Sequence, residues 1–92
     1  AMPRTILEAM AMRLPIIATD VGAIPGILEN GKNAILISPN SVAELSNAIK
    51  RLILDEDLRK KIAQQAYEDV KEKYEWNKVF ELYRRELLTM TF

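Results

Sequence analysis

With 92 residues, 13 basic and 13 acidic side chains and no net charge, the chain suits one thin-cored domain or part of one, and has no general electrostatic pull toward nucleic acid or an anionic membrane. It contains neither cysteine nor histidine, which excludes disulfides, Cys/His zinc sites, thiolate nucleophiles and imidazole bases; carboxylates, lysines, tyrosines and hydroxyls are left for chemistry. The longest apolar runs, RLPIIA and NAILIS, fall far short of the ~18–20 residues that span a bilayer, and nothing resembles a signal peptide, so a cytoplasmic location without a membrane span is expected.

The opening Ala1-Met2 suggests an expressed fragment. Pro3 suits a first helical turn, and RTILEAMAM, from Arg4 to Met12, is rich in helix formers. Pro15 ends that helix and begins a strand, PIIAT. Asp20-Val21-Gly22 makes a turn, Pro25 opens a short helix, PGILEN, and Asn30-Gly31 supplies a left-handed turn before a second strand, AILIS. Both strands are continuous apolar runs, the pattern of parallel strands covered on both faces.

Composition changes near residue 40: the first 40 residues hold six of the 26 charges and every proline and glycine. The remainder is helical. Ser41 and Glu44 have capping-box spacing, and Val42, Leu45, Ile49 and Leu52 share one face of a helix ending near Asp55. Glu56-Asp57 suit the next helix N-terminus, and Leu58, Ile62, Ala66 and Val70 step by four toward Tyr74. A last helix carries Trp76, Val79, Phe80, Tyr83, Leu87 and Leu88, a core stripe rather than a nucleic-acid stacking platform, because the neighbouring basic residues are offset by glutamates. The methionines of the first helix read as gap fillers against a sheet.

This order predicts an α/β fold: the C-terminal half of a doubly wound domain, with two short parallel strands, followed by three helices. Residues 1–92 form a single partial domain, with 1–40 as the α/β part and 41–92 as the terminal helices. Two parallel strands are few for a free-standing sheet, so pairing of strand edges into a homodimer is expected of the isolated chain.

The string Glu8, Ala9-Met10-Ala11, Leu14-Pro15-Ile16-Ile17-Ala18-Thr19, Gly22, Pro25, Asn30-Gly31, Leu36-Ile37 and Leu45 resembles the C-terminal, Rossmann-like nucleotide-binding domain of family 4 (group 1) glycosyltransferases, which have the GT-B fold. The likeness extends through the terminal helices. It implies a retaining transferase that moves a sugar from a UDP- or GDP-sugar to an acceptor, without a cofactor or metal. It assigns Glu8 as the acceptor of the ribose hydroxyls, and sets the amides of Arg4 and Thr5, with the Thr5 hydroxyl, toward the distal phosphate. A carboxylate suits vicinal hydroxyls because it offers two charged acceptor oxygens, and a helix N-terminus suits a diphosphate.

Counting back eight residues from Glu8, the first glutamate of the family's pair would stand immediately before Ala1, and the acceptor-binding domain also lies upstream in family members. The resemblance therefore implies no catalytic residue within these positions and no transfer by them alone. The alternative is a non-catalytic assembly unit that dimerises through strand edges. Outside the motif, Glu8 would be an ordinary solvated glutamate and Arg4 its ion-pair partner one turn away. Asp20, after the first strand, could approach a ligand at the carboxyl edge of the sheet. Arg13, Ala23, Gly26 and Ala34 depart from the family pattern, which has Gly, Gly, Glu and Gly there; if position 13 is a left-handed helix cap, Arg13 costs about 1 kcal/mol.

Overall fold

The computed structural model describes residues 4–73; Pro3, Tyr74 and the expected last helix from Trp76 to Leu88 lie outside the described residues. Helix α1 (Arg4–Ala11) ends by a Schellman arrangement. The Leu14 N–H donates to the Ala9 carbonyl (3.1 Å) and the Arg13 N–H to the Met10 carbonyl (3.2 Å), with Arg13 in the left-handed region at φ 56°. The chain then turns into strand β1 (Ile17–Thr19) and runs through a short 3-10 turn at Ile24–Gly26, where Pro25 spares an amide, to strand β2 (Ile35–Ile37). Gly31, at φ +82°, makes the turn that leads into β2.

The strands pair in parallel, with Ile17 opposite Ile35, Ala18 opposite Leu36 and Thr19 opposite Ile37. Period-two alternation then sorts the side chains by face. Ile17, Ile35 and Ile37 join Ala48 and Leu52 of helix α2 (Val42–Leu54) and Ile62 of helix α3 (Glu56–Lys73) in one cluster. Ala18, Ala34 and Leu36 turn the other way, toward Met10 and Ala11 of α1, Leu28, and Ala66 and Val70 of α3. Helices thus cover both faces, and both strands read as unbroken apolar runs for that reason. Ile35 is buried while the other paired residues are half-buried.

Helix α3 joins the two layers: its first half packs with α2 and its second with α1. Ile62, Ala66 and Val70 are buried at the expected spacing of four, with Leu58 half-buried. The corner before it is fixed twice over. The Asp55 N–H donates to the Arg51 carbonyl (3.0 Å), ending α2, and its carboxylate accepts from the Leu58 N–H (2.9 Å), starting α3. The Arg59 guanidinium then donates to the Leu52 and Ile53 carbonyls (2.6 and 3.3 Å), which α2 leaves without intrahelical donors.

Helix α2 carries the expected stripe and cap residues, with only part of each engaged. The stripe Val42, Leu45, Ile49, Leu52 is not a buried face: Leu52 is buried with Ala48, whereas Leu45 and Ile49 are over 40% exposed and Val42 is 80% exposed. Strands lie ~4.8 Å apart and a helix with side chains is ~10 Å wide, so two strands cover only a narrow line of it. Of the capping box, the Ser41 half forms: Ser41 Oγ accepts from the Glu44 N–H (3.2 Å), while Glu44 Oε1 reaches past Ser41 to the Ser38 N–H (3.4 Å).

Candidate functional site

The residues marked by the motif sit on the first two turns of α1. Helical pitch places Arg4 and Glu8 on one side, and Arg4 Nε lies 3.0 Å from Glu8 Oε1. Arg4 is mostly exposed, while the Glu8 side chain keeps 20% of its surface, so the pair holds the carboxylate in a defined direction at the margin of the core. Thr5 is exposed on the same first turn. The amides of that turn are those an α-helix cannot satisfy internally, which makes this end of α1 electropositive. Below them, Ile6, Leu7 and Ala9 pack on the cluster that also takes Ile24 and Ile27, so α1 and the loop after β1 share one core.

That loop starts at the carboxyl end of β1. The Asp20 N–H donates to the Ile37 carbonyl (2.9 Å), extending the ladder, and its side chain is exposed. Gly22 follows at φ +58°. At position 26, where the family pattern has glutamate, the space a Cβ would fill on Gly26 is open, with no atom within 4 Å.

The loop is pinned by a residue that motif reading passed over. Asn33 is 3% exposed, and its amide is fully used. Oδ1 accepts from the Glu29 N–H (2.8 Å), and Nδ2 donates to the Ile27 carbonyl (3.3 Å) and to Asp69 Oδ2 (2.8 Å), while Gln65 Nε2 donates to Asp69 Oδ1 (2.9 Å). The loop, which meets β2 at its two ends, is thereby tied to α3 as well. The signal available beforehand was only an asparagine between a turn and an apolar run, and its partner Asp69 is 36 positions away.

Arg13 is compensated in the same manner. Its guanidinium stacks over Tyr67 of α3, 4.0 Å from the ring centroid, an interaction worth about 0.5–1 kcal/mol at an exposed site and comparable to the left-handed strain. Among the described residues, no group of three acidic side chains converges as a metal-ligand set, and no helix is long and apolar enough to cross a membrane.

Residues 1–69 match the family model for glycosyl transferases group 1. The chain belongs to this family. Curated relatives include an alpha-D-kanosaminyltransferase of Streptomyces kanamyceticus, 38% identical over 61 residues (66% of this chain, 16% of the relative). A putative teichuronic acid biosynthesis glycosyltransferase, TuaC of Bacillus subtilis, is 30% identical over 90 residues (98% of this chain, 23% of the relative). Among solved structures, the C-terminal domain of the group 1 protein LpcC from Francisella tularensis is 43% identical with TM-score 0.69, covering 74% of this chain and 35% of that one. Anabaena Alr3699/HepE, solved with UDP and glucose, gives TM-score 0.77 at 26% identity, covering 95% of this chain and 24% of that one. The group 1 chain thus has the α/β architecture of a GT-B C-terminal domain, and it spans under a quarter of the length of the curated relatives described.

Proposed function

We propose that this group 1 chain forms the donor side of a nucleotide-sugar site in a retaining, metal-independent glycosyltransferase, and that Glu8 receives the ribose hydroxyls of a UDP- or GDP-sugar. The observation that carries this reading is the Arg4–Glu8 pair on α1. It sets a carboxylate beside the first-turn amides of α1, inside the family's motif. Two acceptor oxygens match two vicinal hydroxyls, while the Arg4 and Thr5 amides and the Thr5 hydroxyl face the distal phosphate. The amides and dipole would stabilise charge on the diphosphate as it leaves, a transition-state role that needs no side-chain acid or base from these residues. The Alr3699/HepE structure containing UDP supports the choice of ligand class. Within this proposal the segment supplies binding groups, and the acceptor site and the reacting carboxylate come from outside it.

The test is calorimetric titration of UDP and GDP into a polypeptide that carries this segment with the upstream half of its domain. Glu8→Ala is expected to weaken binding about 10- to 100-fold, the loss of hydrogen bonds to a charged acceptor. Deoxyribose analogues should lose affinity for the parent protein and little for the variant. Unchanged binding by Glu8→Ala would remove Glu8 from the site.

A further inference from the structure

The outer edge of β2 carries no strand among the described residues, yet the N–H groups of Leu36 and Ser38 along it are occupied. Alternate residues of a strand direct their N–H and C=O groups to opposite edges. The Ile35 N–H donates to the Ile16 carbonyl and the Ile37 carbonyl accepts from the Asp20 N–H, both at 2.9 Å, so the odd positions face β1. The amides of Leu36 and Ser38 and the carbonyls of Ala34 and Leu36 therefore face away. Leu36 N–H donates to Asn30 Oδ1 (2.9 Å), Ser38 N–H donates to Glu44 Oε1 (3.4 Å), and the Ala34 carbonyl accepts from the Gly31 N–H (2.8 Å). One cap comes from the turn before the strand and the other from the first turn of α2. Between them lies a cleft of about 220 Å³ whose polar lining also includes Asn47 and Arg51.

We propose that Asn30 and Glu44 close the outer edge of β2 to strand addition, so that neither a second copy of this chain nor an extended peptide pairs there. An incoming strand would have to displace the acceptors that the Leu36 and Ser38 N–H groups already have, and would bury the charges of Glu44 and Arg51 as it docked. Edge pairing of two copies through β2 is thereby excluded, and the device is independent of nucleotide binding.

Amide hydrogen exchange on the full chain, read by NMR, tests the closure directly. In the parent protein the Leu36 and Ser38 amides are expected to be protected, although no strand covers them, and their protection should not change with protein concentration. Asn30→Ala should speed exchange at Leu36 and Glu44→Ala at Ser38, each about fivefold, whereas Asn30→Asp and Glu44→Gln keep an acceptor oxygen and should leave both amides protected. Sedimentation velocity of the double alanine variant should show concentration-dependent association that the Asp/Gln pair lacks. Exchange of Leu36 and Ser38 at free-peptide rates in the parent protein overturns the proposal, and so does protection that grows with concentration. That reading needs no variant, so it decides the matter even if the double alanine chain fails to fold.

Discussion

At the scale of single residues, position 13 shows how a local rule can be broken and compensated at a distance. The helix-ending geometry at Arg13 favours glycine, but its guanidinium recovers about the same free energy on Tyr67. Arg13→Gly should accordingly be neutral within about 0.5 kcal/mol in the parent chain, yet stabilise a Tyr67→Leu chain by about 1 kcal/mol. A double-mutant cycle by chemical denaturation measures the difference, and zero coupling would show the stacking to be idle. Glu44 gives a residue-level pH dependence. Ser38, through its hydroxyl and then its amide, holds the Glu44 carboxyl below the ordinary value of 4.5, and Ser41 adds to this. A pKa lower in the folded than in the unfolded state stabilises the fold above the unfolded value, and the benefit is lost as pH falls through the folded one. Acidification below 4.5 should therefore loosen the Ser38 amide and the start of α2. An NMR titration should show this, and Glu44→Gln should flatten the response.

At the scale of elements, α1 and α3 were legible because each carries its own instructions: helix formers and an apolar face in α1, acidic first-turn residues and a four-residue step in α3. The loop between the strands was legible only as turns. Its position depends on Asn33 and Asp69, a polar contact across 36 positions that no local pattern encodes. Asn33→Ala removes a buried acceptor and donor together and leaves the Glu29 N–H and Ile27 carbonyl without partners. The expected loss is about 1–3 kcal/mol in thermal unfolding. Asp69→Ala should cost less, since Asn33 retains both backbone partners. Equal losses would mean that the tie to α3, rather than the internal bracing of the loop, carries the stability.

At the scale of the whole molecule, two parallel strands are made viable by helices on both faces, with α3 spanning both layers. Ile62, fully buried on α3, packs with Leu52 and Ile35 at that junction. Ile62→Ala should cost about 2–5 kcal/mol, while Ile53→Ala on α2, 68% exposed, should change stability by less than about 0.5 kcal/mol. Denaturant midpoints of the two variants check this, and a comparable loss at Ile53 would show that the apolar side of α2 is covered in solution. Isoleucines of the same composition thus play opposite parts, a difference invisible in the sequence. What the sequence determined by itself was set by local chemistry: helix and turn positions from capping residues, prolines and glycines, two strands from unbroken apolar runs, and the family from an ordered motif around Glu8. Only the tertiary structure decided which side of α2 is buried, how Arg13 and the 20–33 loop are held, and which strand edge is closed. Each of those depends on how far a neighbouring layer reaches, and on polar partners that meet only after the chain has folded.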